Sequence, residues 1–251
     1  MTDDAPNDLT LATIAFTDGA SSGNPGPGGW AAAIRAPDGR VQELGGFEAD
    51  TTNNRMELTG TIEALAHLAR TEGQVAVFTD STYVIRGITQ WIWGWRKNKW
   101  KKADGSEVTN QDLWQRLFSL TYTRKPAVIW RYVPGHAGVP GNERCDRIAV
   151  GFSKGQRVRL FRGHEADYDV DLTVLPPEAP LPEMRERAAA APKAHSYLSE
   201  LGGDVVRHDT WASCEARVKG RSGARFKKAA SATEELEILK IWGLPASKLP
   251  S

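Results

Sequence analysis

Short apolar runs, one long amphipathic stretch and regularly spaced turn signals divide the first 150 residues into elements. Leu11 to Thr17 reads as a strand ending at Asp18, followed by a glycine- and proline-rich loop from Gly23 to Gly29. Trp30 to Arg35 and Val41 to Phe47 are two more β runs, separated by the turn signal Pro37-Asp38-Gly39. Together the three predict an antiparallel meander. A helix then runs from a Thr51 or Thr52 cap to about Arg70, with Leu58, Ile62, Leu65 and Ala69 on one face. Glu57 lies beside that face near the helix start, within reach of the sheet edge. Val75 to Thr79 predicts a buried strand, with Asp80 at its carboxyl end and Ser81 as the cap of the next helix.

Further along, the pattern predicts a helix around Asp112 to Thr121 and a strand from Val128 to Val133. A Pro/Gly loop from Pro134 to Gly141 follows, and a helix starting near Asn142 brings in Asp146. Strands first, then strand–helix alternation, predict an α/β unit with a mixed five-stranded sheet flanked by helices. Sites in such sheets form at the carboxyl ends of strands, where Asp18 and Asp80 are expected.

After Phe152 the composition changes. Val158 to Leu175 adds a strand or two, extending the first domain from 9–152 toward residue 175. Residues 176–194, rich in proline, alanine and charge, read as a linker. Order returns over 195–243. Tyr197 to Leu201 and Val205 to His208 flank Gly202-Gly203-Asp204, a hairpin signal. Asp209 or Thr210 caps a short helix carrying Trp211, Cys214 and Val218; Arg225 to Lys228 is a strand; Ser231 with Glu234 forms a capping box for a last helix to about Trp242. The order is that of a small ββαβα domain.

Composition narrows the class. A length of 251 residues, 40% hydrophobic and 25% charged, is that of a globular protein with room for one full domain and a small one. Formal net charge is only +1, so any nucleic-acid affinity rests on placement. The run Trp91 to Lys102 holds Arg96, Lys97, Lys99, Lys101 and Lys102 with no acid among them. Cys145 and Cys214 fall in different domains, so neither a disulfide framework nor a zinc site is expected. Cys145 reads as a small buried residue rather than a nucleophile. The acidic start MTDDAPNDL lacks the apolar core of a signal peptide, and no apolar run approaches the roughly 20 residues that span a bilayer. The expectation is a cytoplasmic, monomeric chain without a membrane partner.

The candidate chemistry lies in four acids, Asp18, Glu57, Asp80 and Asp146, within TDGASSGNPGPGG, TTNNRMEL, FTDS and GNERCDRIA. Carboxylates repel one another, so a fold that gathers four of them points to divalent cations. Two cations so held can clamp the attacking and leaving oxygens of a phosphodiester. A metal-dependent nuclease is the reading.

TDGASSGNPGPGGW, TTNNRMELTG, FTDSTYV, GITQWIWGW, NQDLWQRL and GHAGVPGNERCDRIA, in that order and spacing, resemble ribonuclease H of type 1 over residues 9 to 152. The resemblance implies a ribonuclease H-like fold and an endonuclease that cuts the RNA strand of RNA–DNA hybrids, leaving 5′-phosphate and 3′-hydroxyl ends. It implies two Mg²⁺ ions, with Mn²⁺ as a substitute, held by Asp18, Glu57, Asp80 and Asp146. His136 matches a loop histidine that assists proton movement or product departure. Asn24, Asn53 and Asn54 match residues that approach the sugars. Thr52 and Asn110 match a pocket for a DNA-strand phosphate. Trp91 and Trp114 match aromatics lining the DNA channel, and Lys97 and Lys99 lie in the matching basic protrusion. Thr82 stands where many bacterial relatives have glutamine, and Val139 and Gly141 vary the His136 loop.

The C-terminal domain resembles the hybrid-binding, viroplasmin-like domain of eukaryotic ribonuclease H, on Tyr197, Trp211, Cys214, Val218-Lys219-Gly220 and Ala224 to Lys228. The resemblance implies nucleic-acid contacts by Tyr197, Trp211, Arg225, Phe226, Lys227 and Lys228. In the eukaryotic arrangement that domain lies at the other end of the chain. Two other readings stand beside the first: a binding protein whose C-terminal domain takes double-stranded RNA, and a DNA-cutting relative of the same fold. Trp95, Trp100 and Trp130 are expected in the core.

Overall fold

The computed structural model describes residues 9–102, 104–183 and 195–249, and the chain divides into two compact units, 1–182 and 183–251. Most of the expected linker, 184–194, lies outside the described residues.

In the first unit β1 (Thr13–Ser21), β2 (Gly26–Arg35) and β3 (Arg40–Thr51) form the antiparallel meander. Helix α1 (Asn53–His67) crosses to β4 (Val75–Thr79), which runs parallel to β1. The chain then passes through α2 (Thr82–Arg86), a π-helical turn (Gly87–Trp91), α3 (Ile92–Lys97) and α4 (Gln111–Thr121). Strand β5 (Ile129–Tyr132) lies parallel to β4, and α5 (Pro140–Ser153) closes the family of helices around the sheet.

The sheet has six strands in the order β5-β4-β1-β2-β3-β6, one more than expected. The extra strand, β6 (Arg162–His164), pairs antiparallel with Arg40–Gln42 of β3. It belongs to the stretch after Phe152, so residues 153–175 complete the first unit. Tyr168, Val170 and Leu172 pack on the same core as Phe16 and Ile148. Only three residues of that stretch form a strand, which is why its alternation is faint.

Two strand ends also differ from expectation. Asp18 lies inside β1, because pairing continues through Ser21 and Gly28. Gly26 to Gly29 are strand rather than loop. Glycine is needed there for a close approach: a Cβ on Gly29 would overlap Ala149 and Phe152 of α5.

Seven consecutive residues of β1 are buried, as expected of a strand covered on both faces. Alternation sends Ala15 toward a cluster with Leu58, Ile62, Trp114 and Leu117, while Ile14 and Phe16 join Phe78, Cys145 and Ile148 beneath α5. Trp95, Trp100 and Trp130 are partly buried against the first cluster.

Buried Glu43 of β3 ties α5 and the extension together. It accepts from Arg144 Nε (2.6 Å) and Nη2 (2.9 Å), Phe161 N (2.8 Å) and Tyr168 Oη (2.5 Å). Burial alone would raise its pKa; these donors outweigh burial and hold it below the ordinary carboxylate value.

The second unit is a three-stranded antiparallel sheet of order β8-β7-β9 with two helices. Its elements are β7 (Ser196–Leu201), β8 (Asp204–His208), α6 (Trp211–Val218), β9 (Arg225–Ala229) and α7 (Ala232–Ile241). Gly202 and Gly203 both have positive φ (60° and 84°), the hairpin turn the sequence predicts. Thr210 caps α6 by accepting from Ser213 N, and Ser231 caps α7 by accepting from Glu234 N. Glu234 reaches back to Ala230 N (2.7 Å), one residue before the cap. Leu198, Ala229 and Ile238 form the small core.

Candidate active site

Asp18 sits in mid-β1, where alternation carries it to the α5 side. Its Oδ1 accepts from Gly19 N at 2.7 Å. Gly19 also lets α1 close on the strand, since a Cβ there would overlap the backbone of Met56 and Glu57. That close approach brings Glu57 beside Asp18. Glu57 is fixed by Asn53 Nδ2 (2.9 Å) and by Ser81 Oγ, which donates at 2.5 Å. Ser81 thus acts twice, since the same oxygen accepts from Val84 N as the cap of α2. Asp80 follows the end of β4 and accepts from Asn142 Nδ2 at 3.3 Å. Asp146 comes from α5.

The four carboxylates share one electrostatic environment. Asp18, only 7% exposed, has its pKa raised to about 8, first by burial and then by the charges of Asp80, Asp146 and Glu57, against the Gly19 hydrogen bond. Glu57 is pushed up to about 7 by burial and by Asp80, opposed by Ser81 and Asn53. As the side chains stand, no three of His, Cys, Asp and Glu among the described residues are arranged to hold a metal ion. Yet the donor set is hard oxygen, and buried Asn142 leaves its Oδ1 without a partner beside Asp80. These residues fit a hard divalent cation.

The other predicted residues divide between surface and core. His136 is exposed, in a left-handed conformation (φ 55°) in the loop before α5. Asn24 and Asn54 are exposed, and Asn53 is half-buried against Glu57. Thr52 is the N-cap residue of α1 but makes no side-chain cap bond. Asn110, left-handed at the start of α4, hydrogen-bonds Tyr83 Oη and lies near Arg55, which pairs with Asp112 at 2.8 Å. Lys97 and Lys99 are exposed.

Trp114 is a correction. It is fully buried, with Nε1 donating to Tyr83 Oη at 3.1 Å, so it cannot line a channel. It packs edge-on against Tyr83, while half-buried Trp91 packs on Tyr83 and Trp95. Arg96 of the basic run lies over the Phe118 ring at 4.0 Å, which removes it from the free cations.

In the second unit, Tyr197, Trp211 and Phe226 form an aromatic row, with centroids 5.8 and 5.3 Å apart, and Trp211 and Phe226 are 40% and 51% exposed. Register puts Lys228 opposite Tyr197, on the face of Phe226. Arg225 and Lys227 point to the other face, and Arg225 is held by Glu200 (2.6 Å) and the Trp242 carbonyl. The six predicted residues therefore do not form one surface.

Sequence reasoning passed over Ser81 and Asn142 as orienting groups, and Arg55 and Tyr83 altogether. Asn142 and Arg55 lie inside the quoted motifs, so proximity to the acids was their signal; Tyr83 gave none beyond FTDSTYV.

The RNase H family pattern matches residues 11–153. Ribonuclease H of Thermosynechococcus vestitus is 52% identical over 154 residues, 61% of this chain and 95% of the relative. Ribonuclease H of Maricaulis maris is 56% identical over 140 residues, 55% of this chain and 92% of the relative. Among solved structures, LC9-RNase H1, a type 1 RNase H with the type 2 active-site motif, is similar with a TM-score of 0.54 at 27% identity, over 68% of this chain and 94% of its own. The foamy viral protease-reverse transcriptase in complex with RNA/DNA hybrid shares the fold, with a TM-score of 0.50 at 19% identity over 62% of this chain and 22% of its own. A six-stranded sheet of this order, four acids in one field and a match over more than half the chain agree: the chain belongs to the ribonuclease H family.

Proposed function

We propose that this chain is an endonuclease that hydrolyses the RNA strand of RNA–DNA hybrids and leaves 5′-phosphate and 3′-hydroxyl ends. The observation that carries the mechanism is the convergence of Asp18, Glu57, Asp80 and Asp146 from β1, α1, the end of β4 and α5, close enough that, after burial, the charges of the other three raise the Asp18 pKa. A site strained in this way is relieved by cations. Asp18, Glu57, Asp80 and Asp146 would hold Mg²⁺, with Mn²⁺ as a substitute. Bound there, two such ions would supply the Lewis acidity and positive charge that phosphodiester hydrolysis requires.

The chain's own groups do the rest. Ser81 and Asn53 fix the direction of Glu57, and Asn142 that of Asp80. Exposed His136 moves a proton or helps product leave. Thr52 and Asn110 grip a phosphate of the DNA strand; Asn24, Asn53 and Asn54 meet the sugars, where the 2′-hydroxyls mark RNA. Lys97 and Lys99 contact phosphates, and Trp91 is the remaining channel aromatic. No helix among the described residues is long and apolar enough to cross a membrane; the enzyme is read as a cytoplasmic monomer.

The second unit is read as a hybrid-binding module, through the exposed row of Tyr197, Trp211 and Phe226 with Lys228 beside it. Tethering raises the effective concentration of the duplex at the site. The test is cleavage of labelled hybrid, duplex DNA and duplex RNA with Mg²⁺. Cutting of the hybrid alone, lost in Asp18→Asn with binding retained, is the expected result. Cutting of duplex DNA would favour a DNA-directed relative, and preferential capture of duplex RNA would reassign the second unit.

A further inference from the structure

A second acid-free basic run follows Asp146. Residues 147–164 contain Arg147, Lys154, Arg157, Arg159 and Arg162, and no Asp or Glu. The extension folds this run back along α5 and encloses a groove of about 840 Å³, lined by Arg147 and Gly151 of α5 and by Arg157, Arg159 and Tyr168. Arg157 and Arg159 are two apart in extended chain, so they face the same way. Arg147 is one residue past Asp146, about 100° around the helix at 3.6 residues per turn. The groove therefore begins within a turn of a catalytic carboxylate.

Its cations are available. Arg144, also on the wall, is taken by Glu43. Arg147, Arg157 and Arg159 are exposed, and among the described residues their guanidinium groups have no ion-pair or hydrogen-bond partner. The acids that follow the run are largely spent elsewhere: Glu165 pairs with Arg35 at 2.5 Å, and Asp171 accepts from Thr173. Asp167 and Asp169 remain on the groove and limit how many phosphates it takes. Three unpaired guanidinium groups around one open channel are a recognition element for phosphate rather than a stabilising feature, since they repel each other with nothing bound.

We propose that this groove is a second phosphate-backbone track, which holds the part of an RNA–DNA hybrid that lies beyond the active centre. The proposal rests on the hybrid-cleaving reading of the site. Its occupant is the sugar–phosphate backbone, bound without regard to sequence.

The test is binding of a fluorescein-labelled hybrid to the full chain and to Arg157→Ser/Arg159→Ser, by anisotropy in EDTA so that no cutting occurs. Salt is varied between about 50 and 200 mM, where each lost phosphate contact makes the log K against log salt slope shallower by about 0.9. Two lost contacts shift the slope by about 2 and shrink the affinity deficit about tenfold over that range. Arg157→Lys/Arg159→Lys restores the slope, because charge is what the track uses. Hydrogen exchange on the wild-type chain gives a readout that does not depend on a variant's folding: hybrid slows exchange at residues 155–160. An unchanged slope, or unchanged exchange in that segment, overturns the proposal. The two readings fail separately: a wild-type chain that leaves hybrid uncut refutes the function, whereas one that cuts hybrid with an unaltered slope in the variant refutes only the groove.

Discussion

Asp18→Asn should stabilise the metal-free protein while abolishing its chemistry. Asp18 has its folded pKa raised from 3.8 to about 8. Between those values the folded chain holds a proton that the unfolded chain has released, so stability falls as pH rises through that window. At about pH 7 the gap from 3.8 is roughly three units, each worth about 1.4 kcal/mol, which puts the burden near 4 kcal/mol. A buried Asn amide is neutral but keeps a desolvation cost of its own, so about 2–4 kcal/mol is recovered. For a chain of this size that is a rise in Tm of about 5–10 °C. The assay is thermal unfolding in EDTA, followed by near-UV circular dichroism, because seven of the nine tryptophans lie in the first unit. The gap should vanish or reverse near pH 4 and widen toward pH 8. Mg²⁺ should raise the wild-type Tm by mass action and leave the variant nearly unmoved. A variant that melts at or below the wild type in EDTA near pH 7 would refute the account of Asp18 as a buried, mutually repelled carboxylate.

Glu43→Ala strands the Arg144 guanidinium and should cost about 3–5 kcal/mol, whereas Tyr168→Phe removes one charge-assisted hydrogen bond and should cost about 1.5–3 kcal/mol; denaturant melts rank the two. Trp211→Ala and Phe226→Ala should each weaken hybrid binding by about 1–3 kcal/mol in direct titrations, with melting little changed because both rings are exposed. Cys145 is fully buried and its thiol pKa is raised well above the ordinary value, first by burial. Alkylation at about pH 8 should therefore mark Cys145 only after unfolding, as mass spectrometry of the native and denatured chain will show.

What the sequence disclosed and what it hid follow from the range of the forces involved. Val75 to Thr79 and the Gly202-Gly203 hairpin were legible because strand burial and turn chemistry are local. The four acids were legible through their motifs. The position of Asp18 inside β1 was not, because glycines that look like loop residues are there to admit α5, a partner about 120 residues away in the chain. Trp114 was misplaced for a related reason: a tryptophan in a nucleic-acid enzyme reads as a stacking surface, and only the packing of Tyr83, Trp95 and Leu117 around it decides otherwise. Residues 153–175 were ambiguous since three of them pair with β3 and the rest contribute single side chains. The split of Arg225 and Lys227 from Phe226 and Lys228 was implicit in strand alternation.

The extension has a bearing on the four acids that neither element reveals alone. Repulsion among Asp18, Glu57, Asp80 and Asp146 is relieved by any motion that turns one of them outward, and α5 is the element that sets the direction of Asp146. Arg144 lies two residues earlier and points to a different side of the helix. Its double hydrogen bond to Glu43 pins the helix to β3, and Tyr168 and Phe161 hold Glu43 in place from the extension. Rotation of α5 would leave the buried Glu43 carboxylate without its two Arg144 donors, which is costly for a charge held out of water. An ion pair on another side of the helix thus helps fix the azimuth at which α5 presents Asp146. A chain ending near residue 152 would retain all four acids and two of the four donors to Glu43, but it would present Asp146 on a helix with less to hold its azimuth.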